Sequence, residues 1–428
     1  MLVIRVRAFA AAFIVVLAVG LGVAGVVATA AARTPAAHHK SVKKAHRKAA
    51  RHKRRRRHGK RRKHVKRTHA TLASAAKKKR GGGGTGGTGG TGTGSNTPSI
   101  YWGASIGSQL TGSQAPWDMS AVSDVAAESG KGLSLVHFGT PFASCSSTTT
   151  SSCSDESFPT TPFNNIRNYG AIPFLDWSSV ADDSSGTSSA EPSTLAAVIN
   201  GDWDSYITSF AEAAKAWGHP FFLRFDWEMN GNWFPWSEGV NGNTAGQYVA
   251  AWRHVHDIFE QVGATNVSWV WCPNVDFANK LTSLQELYPG NSYVDWTCLD
   301  GYNWGSNSAG ASSGDGWQSF DQIFQSTYNE IVNTVAPGKP MIIGEVGSTE
   351  DGGSKASWIS NMLSDIPTNY PDIHGLMYFD RYDNGMDWPI ETSATSIAAW
   401  DSGISQQAAY VPNNYSGLST SPIPVPSV

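Results

Sequence analysis

The first 97 residues contain no aspartate or glutamate, and the rest of the chain is nearly as poor in bases. Of the 33 lysines and arginines in 428 residues, 24 precede residue 98, which leaves nine to face all 34 acids. The nominal net charge of −1 therefore describes neither part. Large apolar residues are almost missing between residues 33 and 97, so that stretch cannot bury a core and is expected to be disordered. Only four cysteines are present, with no CxxC pair and no histidine cluster beside them, which argues against a metal site. No GxGxxG fingerprint joins a strand to a helix, so nothing points to a dinucleotide cofactor. No cofactor is implied. A small disulfide-only scaffold, a coiled coil and a multi-span membrane protein are excluded.

Arg5 and Arg7 precede an uncharged stretch from Ala8 to Val27, and Ala28-Thr29-Ala30 offers a cleavage site. Residues 1–32 read as a secretory signal peptide, with an uncleaved signal anchor as the alternative. The basic run that follows resists translocation and favours that alternative. A secreted protein is expected, associated with wall or membrane if the segment is retained. Residues 33–80 hold RHKRRRRHGKRRKHVKR and KKKR, together with seven of the twelve histidines. Such a tail binds polyanions through many weak, salt-sensitive contacts. For an exported protein the partner is an anionic wall or surface polymer, unless the tail is merely solvated. No aromatics interleave the bases, so a specific nucleic-acid role is not indicated. Residues 81–97 form a flexible Gly/Thr-rich linker.

In an exported chain, four cysteines favour two disulfides over four thiols. Cys145 and Cys153 flank the polar SSTTTSS and suggest a local staple; Cys272 and Cys298 then join neighbouring strand regions. The body, residues 98–401, carries eight apolar runs: SIYWGASIG, LSLVHFG, AIPFLDWS, FFLRFDWE, VSWVWCPN, WTCLDGYNW, PMIIGEVG and IHGLMYFD. Between them lie helix-like stretches such as DWDSYITSFAEAAKAWG and AGQYVAAWRHVHDIFEQVG. Near-continuous apolar strands alternating with helices predict an α/β fold, a single (β/α)8 TIM barrel, with a doubly wound open sheet as the runner-up. Residues 402–428 are a C-terminal extension, and its STSPIPVPSV shows no packing pattern.

Chemistry in such a barrel sits at the C-terminal ends of the strands. The polar residues there are His137, Asp176, Asp226, Glu228, Asn230, Asn274, Asp300, Tyr302, Asn303, Glu345, Asp380 and Arg381. Trp177, Trp227, Trp233, Trp236, Trp304 and Trp388 stand beside them, among seventeen tryptophans in all; these tryptophans other than Trp227, with His137, Asn230, Asn274, Asp300, Tyr302 and Asp380, are the expected substrate contacts. Two carboxylates with stacked aromatics suit the cleavage of glycosidic bonds: one acid protonates the leaving oxygen while the other attacks or activates water. A single strand-end glutamate is as often an ion pair, and a single tryptophan as often core, but here they cluster.

RFDWEMNGNWFPW, LYPGNSYVDWTCLDGYNWG and IIGEVGS together resemble glycoside hydrolase family 26, over about residues 101–400. The resemblance implies the eight-fold barrel, a β-linked polysaccharide substrate and retention of configuration, with Glu228 as acid/base and Glu345 as nucleophile. It implies that Tyr302 hydrogen-bonds the nucleophile, that Asp300 and Trp304 share its signature, that Trp233 stacks on sugar, and that His137 lies near the sugar being cut. Endo-β-1,4-mannanase is the leading activity implied, with mixed-linkage β-1,3-1,4-glucanase next and a non-catalytic polysaccharide-binding protein behind both. One departure stands out: mannanases of the family usually have histidine just before the acid/base glutamate, and here it is Trp227. No oligomer is expected.

Overall fold

The computed structural model describes residues 98–145, 153–183, 194–277, 282–306 and 316–427. The expected signal segment, basic tail and linker lie outside the described residues. Among the described residues nine strands form one sheet: β1 Tyr101–Ile106, β2 Leu135–Cys145, β3 Cys153–Asp155, β4 Ile172–Asp183, β5 Phe221–Phe225, β6 Val267–Trp271, β7 Trp296–Asn303, β8 Met341–Ser348 and β9 Ile373–Asp380. Their order is β1-β9-β8-β7-β6-β5-β4-β2-β3, and a further β1–β2 pairing closes the ring. Every pairing is parallel except that of the short β3, which turns back along the end of β2 with Cys145 opposite Cys153. Setting β3 aside, eight parallel strands make a closed barrel, one for each apolar run. At the closing seam Gly103 pairs with Leu135, and a Cβ on Gly103 would overlap the Leu135 carbonyl. Both disulfides form as expected, Cys145–Cys153 and Cys272–Cys298.

The helices cover the barrel: α1 Met119–Glu128, α2 Thr160–Tyr169, α3 Leu195–Ile199, α4 Asp204–Trp217, α5 Gln247–Val262, α6 Leu284–Leu287, then Phe320–Glu330 (α7), Lys355–Asn369 (α8) and Ala394–Ser405 (α9). The two helices expected from sequence are α4 and α5. In α4, Tyr206, Ile207, Phe210, Ala211 and Ala214 are buried, the spacing of one helical face. Gly218 and Gly263 end α4 and α5 in the left-handed conformation, which glycine enters without a Cβ penalty.

The core has two layers. Between strands and helices lie residues such as Phe138, Leu175, Phe225, Trp252 and Leu299; inside the ring lie Tyr101, Leu135, Phe174, Phe222, Val270, Trp296, Ile342 and Met377. The inner layer is sealed at the N-terminal ends of the strands by the C-terminal extension, contrary to the sequence expectation. Val411 and Ile423 pack on it. Trp296 Nε1 donates to the Ile423 carbonyl at 2.8 Å, Ile423 N donates to Ser268 Oγ at 2.7 Å, and the Tyr101 hydroxyl donates to the Pro424 carbonyl at 3.0 Å. A proline-rich extended segment has no helix or strand period, so hydropathy gave no sign of this plug.

Candidate active site

At the opposite end of the barrel the strand-end residues form one charged network around Arg224. Arg224 lies on β5 with no exposed surface. Its Nε donates to Asp176 Oδ1 at 2.6 Å and its Nη1 to Asp300 Oδ2 at 2.8 Å. Its Nη2 donates to Glu345 Oε1 at 2.5 Å and also to Asp176 Oδ2. One guanidinium therefore ties together β4, β7 and β8, a use of its rigid planar fork that lysine could not match. Burial alone would lower the Arg224 pKa, but Asp176, Asp300 and Glu345 raise it well above the usual range. Burial likewise works to raise Asp176, but Arg224 and His137 hold it at about 2. His137 Nε2 stands 2.6 Å from Asp176 Oδ2. Asp300 is pushed well up by burial and by Glu345 and Glu228, against the pull of Arg224.

Glu345, on β8, accepts from Arg224 on one oxygen and from the Tyr302 hydroxyl on the other. A Cβ at the preceding Gly344 would overlap Cys298 Sγ and crowd the Arg224 guanidinium, so the dense ion cluster requires glycine there. Glu228 follows β5 in a turn where Asp226 and Glu228 have φ of 42° and 52°. Non-glycine residues in this region store about 1–3 kcal/mol of strain each, a feature that recurs at functional sites. The strained turn aims Glu228 across the mouth, where Asn274 Nδ2 donates to Oε1 at 2.8 Å and Trp233 Nε1 donates to Oε2 at 2.6 Å. Burial, and after it the charge of Glu345, raise the Glu228 pKa to about 7. A carboxylate oxygen from each of Glu228, Asp300 and Glu345 falls within 4.8 Å of the others. These oxygens, and the Cys272/Cys298/Asp300 group at similar spacing, are the described donor sets of metal-ligating type. The sulfurs are joined to each other, and the carboxylates are already engaged by Arg224, Tyr302, Asn274 and Trp233.

The predicted site residues divide into those at the open mouth and those that support it. Trp233 is 42% exposed and stands over the opening beside Glu228. Trp304 is partly buried, with its ring 5.1 Å from that of Trp388. Four expected substrate contacts are displaced. Trp177 is fully buried in the outer layer, stacked on Phe210 at 4.4 Å; strand alternation turns Asp176 inward and Trp177 outward. Trp236 is buried and stacks on Phe234 at 4.5 Å, with its Nε1 donating to the Trp227 carbonyl at 2.6 Å. Trp388 is buried behind the Tyr302 ring at 4.9 Å. Asp380 is buried and accepts the Ile390 amide at 2.8 Å. Asn230 also works through a neighbour: its Oδ1 accepts from Asn274 N and its Nδ2 donates to Asn274 O, both at 2.8 Å. The Trp227 ring lies 5.2 Å from the Arg224 guanidinium carbon and 4.9 Å from the Trp236 ring, so it covers the charge hub. Arg224 itself is the residue that the sequence list left out.

The fold is a closed eight-stranded parallel barrel, with Glu228 just after its fourth parallel strand and Glu345 on its seventh. Residues 179–362 match the sequence model of Glycosyl hydrolase family 26, which bears out the resemblance read from the motifs. Endoglucanase H of Acetivibrio thermocellus is 41% identical over 209 residues, covering 48% of this chain and 22% of that protein. The chain thus spans about a fifth of the length of the curated relative it matches. Among solved structures, an endo-β-1,4-mannanase of Cellulomonas fimi aligns with a TM-score of 0.51 at 18% identity, covering 74% of each chain. The GH26C structure from a Muricauda species aligns with a TM-score of 0.51 at 16% identity, covering 74% of this chain and 88% of that one. At these identities the structural likeness establishes the fold alone.

Proposed function

We propose that the protein is a secreted, retaining endo-β-glycanase in which Glu228 is the acid/base and Glu345 the nucleophile. The observation that carries this reading is the carboxyl pair with opposed environments. Glu345 is held by the Arg224 cation and the Tyr302 hydroxyl and is suited to act as an anion. Glu228, raised to about 7, keeps a proton to give. One oxygen of Glu228 lies within 4.8 Å of one of Glu345, an approach compatible with the ~5–5.5 Å carboxyl separation of retaining enzymes. In the first step Glu228 gives its proton to the glycosidic oxygen while Glu345 attacks the anomeric carbon. Esterification removes the Glu345 charge that had helped raise Glu228, so its pKa falls and Glu228, its proton already given to the leaving group, stays ionised to serve as the base. It then takes a proton from water, and the water oxygen displaces Glu345.

For the substrate we infer a β-linked glucan, supported by the 41% identity to a protein named endoglucanase and by Trp227 in the place of the family's usual histidine. β-1,4-Mannan, the leading activity implied by the motif resemblance, is the second reading. Reducing-sugar release by the full chain from lichenan, cellulose, β-mannan, galactomannan and β-1,3-xylan separates them. Release confined to the glucans supports the first reading, and release confined to mannans overturns it. Glu345→Gln should abolish turnover on every substrate. Glu228→Gln should still be glycosylated by aryl glycosides with good leaving groups and be rescued by azide. Full activity in either variant contradicts the assignment. For the polybasic segment we propose retention on an anionic wall polymer, released by raising the salt concentration; retention that ignores salt would argue against it.

A further inference from the structure

Lys355, the first residue of α8, has no exposed surface and takes no part in the network around Arg224. A lysine at a helix N-terminus faces the positive end of the helix dipole, so its position needs another cause. Its ammonium reaches the loop after β9. Nζ donates to the carbonyls of Asp387 at 2.7 Å, Trp388 at 2.9 Å and Pro389 at 2.6 Å, and to Thr392 Oγ1 at 3.0 Å. Three N–H donors thus serve four oxygens. Burial draws the Lys355 pKa down to about 8 against Asp387, Glu350, Asp380 and Glu391, so at neutral pH it remains the cation.

The loop it grips stands behind the nucleophile. Trp388, whose carbonyl Lys355 holds, packs its ring 4.9 Å from that of Tyr302. Tyr302 donates its hydroxyl to Glu345. Gly347, two residues beyond Glu345, leaves room for this packing: a Cβ there would sit 3.3 Å from both the Trp388 and the Tyr302 rings. The same loop is tied at its other points to the segment between β8 and α8. Thr349 Oγ1 donates to Asp387 Oδ1 at 2.5 Å, Glu350 N to Asp387 Oδ2 at 3.1 Å, and Thr392 Oγ1 to Glu350 Oε1 at 3.0 Å. Lys355 lies at the centre of these ties.

We propose that Lys355 is a positioning residue for the reaction: by gathering Asp387, Trp388, Pro389 and Thr392 around one ammonium, it presses Trp388 against Tyr302 and so holds the Tyr302 hydroxyl on Glu345. The proposal rests on the glycosidase reading. It acts through contacts in series and touches no substrate, so its loss lowers kcat and leaves KM in place.

The test uses the full chain and the variants Lys355→Met, Tyr302→Phe and the double variant, on the best substrate from the polysaccharide panel. Lys355→Met should lower kcat roughly ten- to a hundred-fold, the span of one lost hydrogen bond to a charged group, with KM within about twofold. In the Tyr302→Phe background the same change should cost less than about twofold, because the hydroxyl it positions is already gone. Mass-spectrometric hydrogen exchange should show residues 387–392 opening in Lys355→Met while the barrel strands stay protected. If Lys355→Met does not fold, Thr392→Val, which removes one of the four oxygens, should lower kcat by roughly two- to fivefold with KM unchanged. Full additivity in the double variant, or an unchanged kcat with the loop opened, overturns the proposal. A wild-type protein inactive on every glycan would instead overturn the glycosidase reading, so the two failures are distinct.

Discussion

The Asn274 amide gives the sharpest test of how the environment of Glu228 sets its proton. Burial, then the Glu345 charge, raise this carboxyl to about 7, while hydrogen bonds from Asn274 and Trp233 pull it down. Asn274 Nδ2 stands 2.8 Å from Oε1 and donates only to the ionised or unprotonated oxygen. Replacing Asn274 with alanine removes a donor to the carboxylate and leaves the Trp233 contact in place. A hydrogen bond to a charged group is worth about 1.5–3 kcal/mol, and each pKa unit corresponds to about 1.4 kcal/mol. The Glu228 pKa should therefore rise by about one to two units. Since the first step needs Glu228 protonated, the alkaline limb of kcat/KM reports this group in the free enzyme. In the wild type that limb should lie near pH 7; in Asn274→Ala it should move upward. The assay is kcat/KM against pH on a soluble oligosaccharide. A limb that stays in place, or moves down, would refute the assignment of Glu228 as the proton donor. Asn230→Ala should move the limb the same way by a smaller amount, because Asn230 holds both backbone groups of Asn274.

Trp177→Ala should lower unfolding free energy by about 3–5 kcal/mol in guanidinium titration, the cost of removing a buried tryptophan, and leave KM of the folded fraction unchanged. Trp233→Ala should do the reverse, with KM raised on polysaccharide and the unfolding midpoint unmoved, since 42% of that residue is exposed. Burial, then Asp380, raise Glu391 to about 8, so the folded state keeps a proton that the unfolded chain loses near its ordinary value. Stability should fall as pH rises from about 4.5 to about 8, and Glu391→Gln should reduce that fall, gaining Tm over wild type at pH 8 and not at pH 4. Removing residues 419–428 deletes the Ile423 plug and four hydrogen bonds; at about 2 kcal/mol for the side chain and about 1 for each bond, thermal unfolding should move down by several degrees with KM unaffected.

The barrel was legible because its strands are buried on both faces and so read as unbroken apolar runs. The two glutamates were legible because strand-end carboxylates in such a barrel converge, and because WEMNGNW and GEVGS are distinctive. Side-chain direction was harder. Asp176 and Trp177 are adjacent, and a strict period of two would have sent only one of them inward; the clustering of tryptophans near strand ends masked that rule. Trp236 and Trp388 misled in the same way, since loop tryptophans at a barrel mouth either face sugar or support the residues that do. Arg224 went unassigned because its three carboxylate partners come from three other strands. Lys355 and the C-terminal plug left no pattern at all. Their partners are mostly backbone carbonyls distant in sequence, which carry no side-chain signature.

The most direct test of the central claim is proton NMR of the first product released during hydrolysis of a soluble β-glucan or mannan oligosaccharide. The close Glu228–Glu345 pair predicts that the new reducing end appears first as the β-anomer and only later mutarotates. Initial appearance of the α-anomer would contradict the covalent role of Glu345 and the account built on it.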